Sequence, residues 1–425
     1  MFNSTVSINK RIFFALVASF LVVAPASVSS HACASQLKIL RIGILGAAFL
    51  VGLRWFRVPS LKELSGKFLL LGTVYWLAAI WSTSPMWGLL YKGMLVCSIC
   101  AAISLARSLR TDHDFRQLCR NTTTAAIVGL AVLAFLIFAV GDYSLWKGRL
   151  TVSGMNANTL GISAAIFALL SLLHLLIGDG IGWKSIAVGV IACMAVLVVY
   201  SGSRAAVLVL LAGGGLLLPV IARNKSQAVL LAAVSVGVIG SFSLVWLGDR
   251  EVGAGAFSES DGSLRLLTEL TKDTRIRLWS KALRTWYEND LAIGKGWLHA
   301  NNKPGFIQSS YLQILNESGL LGLTCMVIFF GGTMQTLTRA IRLARRASGF
   351  QSTCLYLFSA VLFAISFHGV FESALLVGTA PNALLLAFSA TQLDLLLQRA
   401  PARSMKRAQV NPRIPNMRSR IPGKV

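Results

Sequence analysis

Four arginines stand at positions where a side chain could do chemistry. Arg149 precedes the run "SGMNANTLG", Arg204 heads the apolar run in "YSGSRAAVLVL", and Arg275 and Arg277 lie two residues apart in "TRIRLW". A guanidinium is a rigid fork of donors that fits phosphate bidentately. Helix starts expected near residues 158, 205 and 310 would add backbone N–H donors beside it. Any one of these arginines could instead be an interfacial anchor or pair with Asp273 or Glu288; together the four call for an anionic ligand, and a lipid pyrophosphate is the natural one at membrane depth.

A second group of polar residues lies in "PGFIQSSYLQILNESGLLGL". Ser310 and Gln313 have capping-box spacing, which predicts a helix starting near Ser310. Ser310, Gln313, Asn316 and Glu317 then share one face. That stripe runs into an apolar segment, and a carboxylate there is costly unless it meets a cavity, a partner or water. Asn156 and Asn158 stand at another helix start, as sugar-binding amides or as helix caps.

The elements that position these groups are membrane helices. The chain has 425 residues, only 13% of them charged, and a mean hydropathy of +0.68. Unbroken apolar runs such as "TAAIVGLAVLAFLIFAVG" exclude an outer-membrane barrel, whose segments alternate. The expected fold is all-α and polytopic, with about twelve spans: 12–27, 39–53, 68–82, 87–106, 121–141, 157–177, 185–200, 205–222, 226–247, 312–338, 352–371 and 377–397. Residues 1–425 form one integral membrane domain, with a long outer (periplasmic) loop at 248–308 and a basic cytoplasmic tail at 398–425. Residues 10–36 read either as a cleaved leader or as a first membrane helix.

With the N-terminus placed in the cytoplasm, 25 of the 40 lysines and arginines fall in cytoplasmic segments. The short outer loops hold almost none, so both termini are expected inside. The net charge of +24 follows from that asymmetry and requires no nucleic-acid partner. The loop 248–308 holds nine cations. Long loops are translocated largely regardless of charge and are usually functional. On this topology Arg149, Arg204, Arg275 and Arg277 all face outward.

Some patterns carry less. "CSIC" at 97–100 lies inside an apolar run with no second pair. "DHD" at 112–114 reads as a solvated cytoplasmic loop. His174 and His368 read as structural, although His368 with Glu372 could line the outer cavity. Glycines 213–215 suit close helix packing.

These motifs resemble the O-antigen ligase and polymerase superfamily, most closely the exopolysaccharide polymerases of the ExoQ type. The resemblance covers residues 140–395. It rests on "GRLTVSGMNANTLG", on "SGSRAAVLVL", on "RIRLW" followed by "IGKG", and on "QSSYLQILNESGLLG". There are departures. Ala157 stands where the family has proline, and Thr274 where it has glycine. Gln308 and Ser309 replace the family's histidine and asparagine. Since that histidine is the favoured catalytic group of ligases, its loss favours a polymerase, or a divergent member with another base, and His299 could substitute for it.

The resemblance implies a glycosyltransferase of the bacterial inner membrane that uses a polyprenyl-pyrophosphate-linked oligosaccharide as donor and a glycan as acceptor. A chain-length regulator and export proteins are implied as further partners, and no metal or other cofactor is required. Arg149, Arg204, Arg275 and Arg277 would hold the pyrophosphate. Asn156, Asn158, Ser310 and Gln313 would bind glycan. Glu317, His299 or Gln308 would orient or deprotonate the acceptor. A ligase, or a transporter of the same lipid-linked sugars, are the other readings.

Overall fold

Antiparallel helices dominate the computed structural model, which describes residues 3–26, 34–82, 84–140, 143–146, 149–152, 157–177, 180–222, 274–289, 292–296, 309–371 and 381–410. The helices are α1 (Asn3–Ala26), α2 (Ala34–Gly52), α3 (Leu64–Leu77), α4 (Pro85–Ser108), α5 (Asp112–Phe138), α6 (Ala157–Ile177), α7 (Ile181–Ser201), α8 (Arg204–Ala222), α9 (Thr274–Asn289), α10 (Ser310–Arg346), α11 (Gly349–Phe371) and α12 (Pro381–Val410). Among the described residues, eight helices are long and apolar enough to cross a membrane. The expected all-α polytopic class therefore holds. The expected span 226–247 lies outside the described residues. So does most of the loop 248–308.

One element was not expected. The loop after α5 contains a small antiparallel hairpin, β1 (Tyr143–Trp146) and β2 (Arg149–Val152), with Trp146 opposite Arg149. Val152 is fully buried and packs with Leu160 at the start of α6.

The packing shows which helix ends share a side. Lys10 pairs with Asp114 at 3.0 Å, joining the starts of α1 and α5. Phe115 packs edge-on against Phe350, so α11 starts at that same end. Thr123 Oγ1 lies 2.7 Å from His174 Nδ1, which brings the end of α6 there as well. Arg107, Arg116, Arg120, Arg345 and Arg346 also belong to this basic end. The starts of α6, α8 and α10 therefore gather at the opposite end, which carries the candidate site.

Buried polar groups lock the bundle. Asp394 of α12 accepts from the backbone N–H groups of Leu64 and Ser65 and from Ser65 Oγ, at 2.8–3.0 Å, and so caps α3. Such N-caps contribute about 0.5–2 kcal/mol each. Gln392 Nε2 donates to Ala106 O at 2.8 Å. The "DHD" segment proves not to be a loop. It forms the first turn of α5, where Thr111 and Asp114 make a capping box. His174 is buried, as a structural histidine would be.

Candidate functional site

The motif "SGSR" is a helix–helix turn in which each of the first three residues has a backbone task. Gly202 ends α7 in the left-handed region (φ 56°), and its N–H donates to Val199 O. A residue with a Cβ pays for that conformation and glycine does not. Ser201 Oγ donates to Val198 O and accepts from Ser203 N–H. Ser203 Oγ accepts from Ala206 N–H at 3.3 Å, capping α8. Arg204 is thereby the first residue of α8.

The start of α6 lies directly against this turn. A Cβ added at Gly161 would stand 2.3 Å from Ser201 Oγ and 2.7 Å from Ser203 Cβ. Asn158, half-buried, is one turn before Gly161 on the same face. The helix start in "NANTLG" and the turn "SGSR" are thus one contact. Arg149 is three residues from Val152, about 10 Å of strand, and Val152 anchors β2 beside the same helix start. The side chains of Arg149 and Arg204, and all of Asn156, lie outside the described residues.

"TRIRLW" opens α9. Positions two apart in a helix lie about 200° apart around its axis, so 275 and 277 do not share a face. Position 275 falls in line with Leu278, Trp279, Ala282 and Trp286, which are buried or half-buried. Position 277 falls in line with Lys281, Arg284 and Glu288, which are exposed. Arg284 and Glu288 pair with each other at 2.7 Å. The side chains of Arg275 and Arg277 lie outside the described residues, but the helix separates their positions into an inner and an outer face.

Two further motifs, "IGKG" and "NESG", are halves of one backbone contact. Helix α10 is broken at Gly319 (φ 60°, ψ −151°). The break frees carbonyls, and the segment 292–296 takes them: Lys295 N–H donates to Asn316 O and Gly296 N–H to Glu317 O, both at 3.0 Å. Leu320 N–H donates in return to Ala292 O at 3.1 Å. There is no room for side chains between the two segments of this contact. A Cβ on Gly294 would lie 2.6 Å from the backbone of residues 317–319, and one on Gly319 2.5 Å from Ala292 O. A Cβ on Gly296 would lie 2.5 Å from Ser82 N. The segment that follows α9 is therefore pinned between α10 and the residues at 81–82 that follow α3.

Below this contact the polar stripe of α10 meets its partners. Glu317 is fully buried. Its carboxylate accepts from Tyr75 Oη at 2.7 Å and from Gln313 Nε2 at 3.0 Å, and lies 2.9 Å from Lys92 Nζ. Lys92 Nζ also sits 3.7 Å from the centre of the Tyr75 ring, a cation–π distance. Of the three ways to tolerate a carboxylate at membrane depth, this chain uses partners. Ser310 and Asn316 are buried on the same stripe. The helix starts at Ser310 as expected, but the capping box does not form. Ser309 is the N-cap and makes no side-chain cap bond, and the Gln313 amide is engaged by Glu317.

Sequence reasoning missed Tyr75 and Lys92. The signal was present for Lys92, an ionisable residue inside the apolar span 87–106, where such a group implies a buried partner. Nothing local in the sequence pairs it with Glu317, which is 225 positions away. His299, Gln308 and Glu372 lie outside the described residues, and His368 is buried.

These features define a polytopic helical membrane protein with a polar cluster sunk into one end and glycine-built contacts above it. Residues 189–327 match the family model of O-antigen ligase. That third of the chain contains "SGSR", "TRIRLW", "IGKG" and the Glu317–Gly319 stripe, and over it the chain is similar to that family. No curated protein matches the chain.

Proposed function

We propose that this protein polymerises polyprenyl-pyrophosphate-linked oligosaccharide repeat units at the outer face of the bacterial inner membrane, in exopolysaccharide or O-antigen synthesis. The observation that carries this reading is the family match, because it spans the motifs that the packing ties to one end of the bundle. The basic end then faces the cytoplasm by charge, and the site end faces outward.

In the reaction, an acceptor hydroxyl attacks the anomeric carbon of the donor. A new C–O bond forms, the bond from that carbon to the pyrophosphate oxygen breaks, and the lipid pyrophosphate leaves. The hydroxyl proton goes to a base. Arg149, Arg204 and Arg275 stabilise the charge on the leaving phosphate. Preorganised donors of this kind are often the largest single contribution to rate, about a hundredfold or more for each. Arg277 is the weaker candidate, since its position falls on the exposed face of α9. Glu317 serves as a positioning residue and not as the base, because its carboxylate already serves three partners. His299 is then the candidate base. Asn156, Asn158, Ser310 and Gln313 remain candidates for glycan contact, with Gln313 acting from behind Glu317. Gln308 stands where a ligase would have its histidine, which favours polymerase over ligase.

The test is Arg204→Lys, which keeps the charge and loses the fork. Polymer yield, normalised to protein abundance, should fall severely in Arg204→Lys, Arg149→Lys and Arg275→Lys and stay normal in Arg345→Lys. Full activity in all three outer variants would return those arginines to interfacial anchoring. Deletion of the protein should leave single lipid-linked units outside the membrane. Units retained inside would indicate a transporter, and intact polymer left on its lipid would indicate a ligase.

A further inference from the structure

The basic end holds a cavity that the proposed reaction does not use. It measures about 310 Å³ and is lined by Arg11 of α1 and by His113, Arg116, Gln117, Arg120 and Asn121 of α5. Positions 113, 117 and 121, and positions 116 and 120, follow each other at one helical turn. Three guanidiniums, an imidazole and two amides surround the space, and among the described residues no carboxylate lines it. The nearest one on α5 in a buried position, Asp114, is taken: it accepts from Lys10 Nζ and from the backbone N–H groups of Arg110 and Thr111. Asp112 is exposed and does not line the cavity. The contents that such a lining favours are anionic, and a phosphate fits guanidinium forks best.

The depth of the cavity narrows the source. Arg11 immediately precedes Ile12, Phe13 and Phe14, where α1 turns apolar. Arg116 and Arg120 precede Ala125, where the uncharged apolar stretch of α5 begins. Both helices thus present their cations at the boundary between hydrocarbon and water, where lipid phosphates lie. We infer that this cavity binds the phosphate headgroup of an anionic phospholipid at the end of the bundle opposite the candidate site. Its pull on such lipids comes from cations held at the membrane surface.

The experiment uses purified full-length protein in neutral detergent, with lipid binding read by native mass spectrometry. The probes are phosphatidylglycerol, phosphatidylcholine and inorganic phosphate. Wild type should retain phosphatidylglycerol in preference to phosphatidylcholine. Arg116→Gln/Arg120→Gln should weaken phosphatidylglycerol about 25-fold, and Arg11→Gln alone about fivefold, from the usual worth of each interfacial cation. Arg345→Gln/Arg346→Gln, a pair of exposed arginines at the same end, should leave it unchanged. An unaltered melting curve in the single Arg11→Gln variant ensures that its loss reports binding and not folding. Equal losses in both double variants would reduce the effect to general surface charge and overturn the site. Equal retention of phosphatidylcholine would overturn it too. Inorganic phosphate binding as tightly as phosphatidylglycerol would overturn the lipid assignment.

Discussion

Lys92→Met removes the cation beside Glu317 while keeping most of the side-chain volume. At 2.9 Å, with an effective dielectric of about 20, the attraction in the pair is about 6 kcal/mol. Desolvation of two charges offsets much of that in the wild type, so the pair adds little net stability. Removing one partner is different, because Glu317 would remain fully buried with only the Tyr75 and Gln313 bonds. The expected loss is about 3–5 kcal/mol. Glu317→Gln in the same background removes the orphaned charge and should recover most of that loss, since uncharged replacements of a buried pair are often neutral. The assay is the melting temperature of purified protein in detergent, for wild type, both single variants and the double variant, with polymer yield measured in parallel. Lys92→Met should melt well below wild type, and the double variant should approach it. If Glu317 is a positioning residue, polymer yield should recover together with stability. A Lys92→Met protein as stable as wild type would refute the ion pair. A double variant with restored stability and no polymer would refute the positioning role and make Glu317 a direct participant.

Three other outcomes are expected. Gly319→Ala places a Cβ 2.5 Å from Ala292 O, in a backbone region that essentially only glycine occupies. It should release the segment 292–296, so limited proteolysis should cut between α9 and α10 much faster than in wild type; an unchanged cleavage rate would dismiss the pinning contact. Gly161→Ala forces a Cβ to 2.3 Å from Ser201 Oγ. Overpacking of this kind costs about 1–3 kcal/mol, and it should part α6 from the "SGSR" turn and lower polymer yield at normal protein abundance; full yield would mean that this contact does not matter for catalysis. Reporter fusions at residues 115, 343 and 410 should read as cytoplasmic and those near 150 and 270 as external; a cytoplasmic signal near 270 would put the arginines on the wrong side for the reaction.

Membrane class, helix spacing and charge asymmetry were legible in the sequence because each is a local or summed property. An apolar run of about 20 residues has one low-energy structure in lipid, so the eight described helices long and apolar enough to cross a membrane coincide with expected spans to within several residues at most ends. The arginines, the asparagines at a helix start and the Glu317 stripe were likewise visible as unusual groups in an apolar chain. Their partners were not, because partners come from packing between distant segments. Nothing near residue 317 indicates that a tyrosine on α3 and a lysine on α4 would converge on it. Nothing in "IGKG" indicates that Gly294 meets the backbone of a helix broken at Gly319 and Gly296 the backbone at Ser82. Arg275 and Arg277 look equivalent as letters two apart. Only the folding of their segment into α9 divides them, since a helix turns about 200° over two residues while an extended strand returns to the same face.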